Sequence, residues 1–196
     1  HLDYGAAAGA YVDACLAAPR ILGLSGVGDL VSNLSAVADW KLAFHHRGEP
    51  VNDLAALLSD ATVRQFLSRP AFDAQGMTAL ATALMLNGIA MEICGSSRPA
   101  SGSEHLISHA LDATSARPRL HGLQVGVATY LMCRLQNQQA ETVDALFRAT
   151  GFWDAVRADP FIRAEWQEAL RLAPDLKEDF HTVLSDRDRL PEALRL

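Results

Sequence analysis

The chain has 196 residues, of which 49% are hydrophobic and 20% are charged, as is ordinary for a soluble globular protein with one substantial core. Its formal net charge of −6 argues against nucleic acid or an anionic membrane surface as a partner, because an acidic surface repels both. No window of 18 residues is wholly apolar and uncharged, so we predict no membrane span. The N-terminus has no basic segment, so we predict no signal peptide.

Three cysteines, Cys15, Cys94 and Cys133, are widely spaced and lie in apolar, helix-forming segments. An odd number of dispersed cysteines is typical of reduced core thiols, and a disulfide or a cysteine–metal site is the alternative. Reduced thiols predict a cytoplasmic protein.

Apolar residues recur at helical spacing along the chain, and no alternating run of strand length occurs. We therefore predict an all-α fold of about nine or ten helices in a single metal- and substrate-binding domain, residues 1–196. The first helix is predicted over 3–18, and the glycine-punctuated residues 21–28 are predicted to form a tight turn. The next helix is predicted over 30–44, with Asp29 at its start as an N-cap or first-turn acid.

Later helices are predicted by the same periodicity, between glycine and proline breakers. The helix over 78–93 is nearly all apolar and is expected to be the central buried helix. The charged residues 175–196 are predicted as a terminal helix with an exposed tail. The remaining predicted helices cover 53–68, 122–135, 141–149, 153–158 and 162–171.

Three histidines lie within the short stretch between a polar glycine- and proline-broken loop and the helix over 122–135. His105 and His109 are four residues apart, so both imidazoles lie on one face of a helix. His121 follows a connector, at or near the start of the next helix. This pattern indicates metal ligands or a proton-handling site, although helical histidine pairs without a role are common.

Two strings around these residues are specific. The first is Ser-Ser-Arg-Pro-Ala-Ser-Gly-Ser-Glu-His105-x-x-Ser-His109-Ala-Leu-Asp, followed by Leu-His121-Gly-x-Gln-x-Gly-Val. The second is Gly-Val-Gly-Asp29-Leu-Val-Ser-Asn, extended through Ser-Ala-Val-Ala-Asp39-Trp-Lys-Leu-Ala. Both resemble the sn-glycerol-1-phosphate dehydrogenases, which belong to the metal-dependent alcohol and glycerol dehydrogenase superfamily, related to the dehydroquinate synthases.

The resemblance implies that Asp29, His105 and His121 bind the catalytic metal. One carboxylate and two imidazoles suit Zn²⁺ and would also accept Fe²⁺ or Ni²⁺. Three protein ligands leave a position open for substrate or water. The family places the second histidine, His109, against the substrate, where it could relay a proton. A turn with a capping aspartate is the local alternative for Asp29.

The predicted substrate-binding residues are Asp29, His109, Ser101 and Ser103. Both serines could also cap the histidine helix. Arg98 could contact a phosphate or only cap a helix end.

Two departures from the family pattern bear on substrate preference: Leu123 replaces an acid beside His121, and His181 stands where relatives tend to have arginine and tyrosine. The adjacent His45 and His46 point about 100° apart on a helix and are expected to be surface residues.

The resemblance covers only the C-terminal half of a family member, without its nucleotide-binding α/β domain. It implies a dehydrogenase that uses NAD(P)H to reduce dihydroxyacetone phosphate to sn-glycerol 1-phosphate, an activity of phospholipid biosynthesis, and a homo-oligomer. The fragment alone is expected to be inactive, and its cofactor-binding residues are unknown. The alternatives are a glycerol or polyol dehydrogenase, or a helical interaction module with a degenerate metal site, which a reading frame beginning near His1 would favour.

Overall fold

A computed structural model describes residues 4–195, with side chains from Tyr11 onward. Within this range the fold is helical and has no strand, which confirms the predicted all-α class. The prediction for Asp3 lies outside the described residues. The α-helices are α1 (Tyr4–Ala17), α2 (Arg20–Val31), α3 (Asn33–Arg47), α4 (Asp53–Ser68), α5 (Ala74–Cys94), α6 (Ser103–Thr114), α7 (His121–Leu135), α8 (Ala140–Thr150), α9 (Phe152–Ala158), α10 (Arg163–Leu172) and α11 (Leu190–Ala193).

The predicted turn over 21–28 is wrong, because these residues belong to α2. The glycines allow the backbones of α2 and α7 to touch. A Cβ atom on Gly28 would lie 1.9 Å from the carbonyl oxygen of Gly122, and one on Gly122 would lie 1.8 Å from that of Ser25. Glycine here is a helix-packing residue and not a turn residue.

Asp29 is not a helix cap as predicted, because it lies in the last turn of α2. Ser32, in helical geometry, separates α2 from α3, so the predicted single helix over 30–44 is divided. The helix continues to Arg47, three residues beyond the predicted end, and Gly48 closes it in the left-handed conformation with φ 67°.

Two large clusters of buried apolar residues form the core, and α7 contributes to both. The first lies among α2, α4, α5, α7, α8 and α9, and the second among α6, α7, α10 and the C-terminal residues. Because α7 packs against both clusters, its position is fixed, and with it the position of His121 in its first turn.

The prediction that α5 is the central buried helix is wrong. Met77, Leu80 and Ala83 are buried, whereas Met85 and Ile89 are 65% and 46% exposed. The core covers only one face of α5, although apolar residues occur on all of its faces. The helix therefore lies at the periphery with one apolar face exposed.

The C-terminal segment is not the predicted terminal helix with an exposed tail. It forms short 3-10 turns before α11. This segment covers α6 and contributes three buried residues to the second cluster, Phe180, Val183 and Leu184. Their spacing is too irregular for an amphipathic helix.

Two stretches, Arg20–Arg47 and Ala74–Cys94, are long and apolar enough to cross a membrane, and 50% and 28% of their windows are buried in the fold. Core helices of soluble proteins share this length and composition, so the feature is weak support for a membrane span. Cys15, Cys94 and Cys133 are free thiols, and Cys133 alone among them is fully buried.

Candidate metal and substrate site

The start of α6 is held by two buried carboxylates. Asp39 of α3 accepts hydrogen bonds from the Ser103 amide (2.7 Å) and from the Ser103 hydroxyl (2.6 Å). Glu104 accepts from the amide of Gly102 at 2.6 Å. Neither predicted serine caps the helix, because Gly102 occupies the cap position. The carboxylates satisfy the free amides of the first turn and favour the positive end of the helix dipole.

Three helices bring Asp29, His105 and His121 together. The Oδ1 atom of Asp29 lies 3.4 Å from Nε2 of His105 and 3.6 Å from Nε2 of His121. One ligand atom from each residue lies within 4.8 Å of the others. Both imidazoles therefore direct the same nitrogen toward one carboxylate oxygen, an arrangement that suits a single divalent cation.

The other ring nitrogen of His105 is fixed from behind. Its Nδ1 atom lies 2.9 Å from Oε1 of Glu104, which is fully buried and accepts a further hydrogen bond from the Ser35 hydroxyl at 2.8 Å. A carboxylate only accepts, so Nδ1 of His105 carries the proton. In the neutral ring Nε2 is then unprotonated, as a metal ligand must be.

His121 has a corresponding but neutral partner. Its Nδ1 atom lies 3.1 Å from the hydroxyl of Ser108, which is buried on α6. The side-chain amide of Gln124 donates to this hydroxyl at 3.1 Å and to Asp112 at 2.8 Å. A hydroxyl both donates and accepts, so this network supports either tautomer of His121.

The electrostatics of the cluster favour a cation. Burial acts to raise the pKa of Asp29, but the neighbouring imidazoles of His105 and His121 outweigh it and lower that pKa. Burial acts against a proton on His105, yet hydrogen bonds to Asp29 and Glu104 raise its pKa to about 9. Without a metal, the ring of His105 thus holds a proton between the carboxylates of Asp29 and Glu104. The same negative charge would stabilise a divalent ion.

His109 lies beside the cluster and not in it. Its ring centroid is 6.3 Å from that of His105 and 6.0 Å from that of His121, and its side chain is exposed. Burial, followed by the charges of His105 and His121, lowers the pKa of His109. A neutral, accessible imidazole can both accept and donate a proton, unlike a ring committed to a metal.

Arg98 has neither predicted role. It is 1% exposed and pairs with Glu49, with its Nε atom 2.7 Å from Oε1. It also donates to the carbonyl of His181 at 2.9 Å, and its guanidinium lies 3.7 Å from the ring centroid of Phe180. These contacts tie the loop before α6 to the C-terminal segment and bury the guanidinium, so Arg98 is a structural residue of the fold.

The two predicted substrate-binding serines differ in position. Ser103 is fully buried and its hydroxyl donates to Asp39, so it has no surface for a substrate. Ser101 is half-buried, in the loop that leads into α6.

The two residues that depart from the family pattern, Leu123 and His181, both pack against other parts of the fold. Leu123 is buried in the first core cluster. The ring of His181 stacks on that of His46, with centroids 5.3 Å apart, and both His45 and His46 are exposed as predicted.

Three polar residues without a predicted role also belong to the site, although they stand within the first of the two specific strings: Glu104, Ser108 and Gln124. Their positions in the sequence could have indicated a role, because each is a polar residue on a helix face that is otherwise occupied by buried apolar residues. A buried polar side chain needs a partner: Glu104 pairs with His105 and Ser108 pairs with His121, whereas Gln124 donates to Ser108 and to Asp112.

The fold and the site define a class of protein: a helical bundle in which a carboxylate and two imidazoles from three helices form a candidate divalent-metal centre. No family model matches the chain. Among curated proteins, the glycerol-1-phosphate dehydrogenase [NAD(P)+] of Pyrococcus furiosus is 39% identical over 181 residues, which are 88% of this chain and 51% of that protein. The same enzyme of Methanothermobacter thermautotrophicus is 38% identical over 182 residues, 90% of this chain and 52% of that protein.

The chain is similar to these glycerol-1-phosphate dehydrogenases over most of its own length, and it spans about half the length of the curated relatives it matches. This confirms the predicted resemblance, and the coverage is consistent with a C-terminal half.

Proposed function

We propose that this chain is the metal- and substrate-binding half of a dehydrogenase that interconverts dihydroxyacetone phosphate and sn-glycerol 1-phosphate with NAD(P)H. The observation that carries the proposal is the meeting of Asp29, His105 and His121 within 4.8 Å, in a chain related to glycerol-1-phosphate dehydrogenases. The nucleotide-binding part would lie in the portion of the relatives that this chain does not match.

The three ligands fit a divalent ion, with zinc preferred and Fe²⁺ or Ni²⁺ as alternatives. The ion, when bound, supplies Lewis-acid stabilisation to an oxygen that becomes negative during carbonyl reduction. The chain's own contribution is orientation. Glu104 holds the ring of His105 and Ser108 holds that of His121, so two nitrogens are already aimed at the position of the ion.

His109 would transfer the proton. Reduction of the carbonyl adds a hydride from the nicotinamide to carbon and a proton to oxygen, so the site needs a donor near the metal cluster. His109 lies one turn from His105 on α6, is exposed, and has a lowered pKa. It therefore takes up and releases a proton more readily than the committed rings of His105 and His121.

Of the other predicted substrate-binding residues, two would act on the substrate side of the site and one would act through another residue. Ser101 and Asp29 would face the substrate, the first from the loop before α6 and the second through the metal. Ser103 would act through Asp39, because its buried hydroxyl fixes the start of the histidine helix and not the ligand. The enzyme is proposed to be cytoplasmic, to act on a small phosphorylated triose, and to self-associate.

The test is a chelator-competition titration and elemental analysis of the zinc-reconstituted chain. We expect one equivalent of metal in the parent and a loss of affinity by orders of magnitude in His105→Ala and in His121→Ala. The matched control is His109→Ala, on the same face of α6, which should keep metal affinity nearly intact. In the enzyme expressed with its nucleotide-binding part, His109→Ala should lower turnover by about 10²–10⁴-fold.

Two outcomes count against the proposal. Equal loss of metal in all three variants would make His109 a ligand, and no stoichiometric metal in the parent would remove the site and favour an interaction module. Equal rates with dihydroxyacetone and dihydroxyacetone phosphate would instead favour a glycerol or polyol dehydrogenase.

A further inference from the structure

A serine of α2 caps the helix that carries His121. The N-cap residue of α7 is Leu120, whose side chain cannot accept a hydrogen bond, and the helix has no side-chain cap of its own. The carbonyl oxygen of Leu120 accepts from the amide of Leu123 at 2.9 Å. The amide of Gly122 instead donates to the hydroxyl of Ser25 at 3.1 Å. An acceptor from α2 therefore satisfies a first-turn amide that the cap residue of α7 cannot satisfy.

The same face of α2 meets α7 at a second point. Ser25 and Asp29 are four residues apart, so they lie one turn apart on one face of the helix. Ser25 binds the backbone of α7 at Gly122, and the Oδ1 atom of Asp29 lies 3.6 Å from Nε2 of His121. One contact to the backbone and one to the neighbouring ring together fix how α7 is turned relative to α2.

The contact between Ser25 and Gly122 lies where the two helices are closest. A Cβ atom on Gly122 would lie 1.8 Å from the carbonyl oxygen of Ser25 and 2.7 Å from its hydroxyl oxygen. An alanine in place of Ser25 would leave the Gly122 amide without this acceptor in a half-buried position, which is unfavourable. Any shift of α7 that relieves this loss also moves His121, because His121 is the next residue along the chain.

We propose that Ser25 is a positioning residue of the metal cluster, whose hydroxyl acts through the Gly122 amide to place His121 opposite Asp29 before a metal binds. This inference rests on the proposed function and concerns how its ligand atoms are preorganised. Ser25 and Ser108 have different parts in it. Ser108 lies 3.1 Å from Nδ1 of His121 and orients the ring, whereas Ser25 fixes the backbone from which the ring projects.

The experiment is a chelator-competition titration of the chain with zinc. We expect Ser25→Ala to lower zinc affinity by about 10-fold, the lower end of the effect of removing a group that orients a metal ligand, because Ser25 acts through the backbone. Ser25→Thr keeps the hydroxyl and should restore most of the lost affinity. The matched control is Thr129→Val on α7 itself, which removes a buried hydroxyl bonded within the helix to the carbonyl of Val125 at 2.8 Å. This control should keep the affinity of the parent.

Urea denaturation of each metal-free variant separates a positioning effect from a general loss of stability. An unchanged zinc affinity in Ser25→Ala overturns the inference, and an equal loss of affinity in Thr129→Val does so too, because helix stability would then be responsible. A Ser25→Thr variant with the urea midpoint of the parent but the affinity of Ser25→Ala also overturns it. The proposed function fails separately, if the enzyme with its nucleotide-binding part transfers no hydride to dihydroxyacetone phosphate although Ser25→Ala weakens zinc binding as expected.

Discussion

His105 is the residue on which the metal cluster depends most, because it is held from two sides. Asp29 faces its Nε2 atom and buried Glu104 faces its Nδ1 atom. In the metal-free protein these carboxylates hold a proton on the ring, and the pKa of about 9 is the measure of that stabilisation. Metal and proton compete for the same nitrogen.

A pH dependence of folding follows from this pKa. The folded-state pKa of His105, about 9, lies above its ordinary value of 6.5, so the protonated ring stabilises the fold fully below pH 6.5. This contribution is lost as the pH rises through 9. We expect the metal-free chain to lose about 3 kcal/mol of unfolding free energy between pH 6.5 and 9.5, by the usual conversion of a pKa shift.

Urea denaturation in the presence of a chelator measures this effect at each pH. The variant His105→Gln should show a much flatter profile, whereas His109→Gln, a ring outside the cluster, should keep the slope of the parent. An identical slope in the parent and in His105→Gln would assign the pH dependence to another group.

At the scale of elements, the crossing of α2 and α7 decides whether the ligands meet. Asp29 lies next to Gly28 on α2, and His121 lies next to Gly122 on α7. The two glycines touch backbone to backbone, so their neighbours are brought within 3.6 Å of each other. A side chain between the helices would separate the carboxylate from the imidazole.

Gly28→Ala should therefore damage both the fold and the site. The new Cβ atom would lie 1.9 Å from a carbonyl oxygen of α7, a contact that forces the helices apart. We expect a loss of more than ~3 kcal/mol in unfolding free energy, at the upper end of overpacking effects, and a weaker metal affinity.

Gly88→Ala is the control for Gly28→Ala, since Gly88 lies within α5 and a Cβ atom there would meet nothing within 4 Å. This change should stabilise the chain by roughly 0.5–1 kcal/mol, the usual difference between the two residues in a helix. Similar effects in both variants would show that the close crossing does not set stability.

At the scale of the whole molecule, Arg98 joins segments far apart in sequence. It binds Glu49 just after α3 and the carbonyl of His181 near the C-terminus, and it stacks on Phe180. Nearby, Asp39 accepts from the amide of Val183 at 2.8 Å. The C-terminal segment thus supports the start of α6.

Arg98→Met should be among the most destabilising single changes away from the metal ligands. Arg98 is buried but the side chain of Glu49 is 28% exposed, so loss of the pair, of the bond to the His181 carbonyl and of the packing on Phe180 should cost up to about 3 kcal/mol, the lower end for breaking a buried pair. The control is Arg64→Met, which breaks the exposed pair with Asp60 on α4 and should not measurably shift the urea midpoint. Equal midpoints for the two variants would contradict the structural role of Arg98.

The sequence by itself determined the helical class and most helix ends, because these depend on local periodicity and on breakers. The prediction for α4, over 53–68, agrees with the structure at both ends, and the end of α3 follows from Gly48. The candidate ligands were identified from the sequence as well, although only through specific strings, since the spacing of His105 and His109 alone left a histidine pair without a role.

The tertiary structure decided what each polar or flexible residue does. The glycines of α2 resemble turn residues until α7 is placed against them, and Arg98 resembles a phosphate ligand until Glu49 and Phe180 are seen around it. Helix formation depends on neighbours within a few residues, whereas burial and ion pairing depend on partners that only packing brings together.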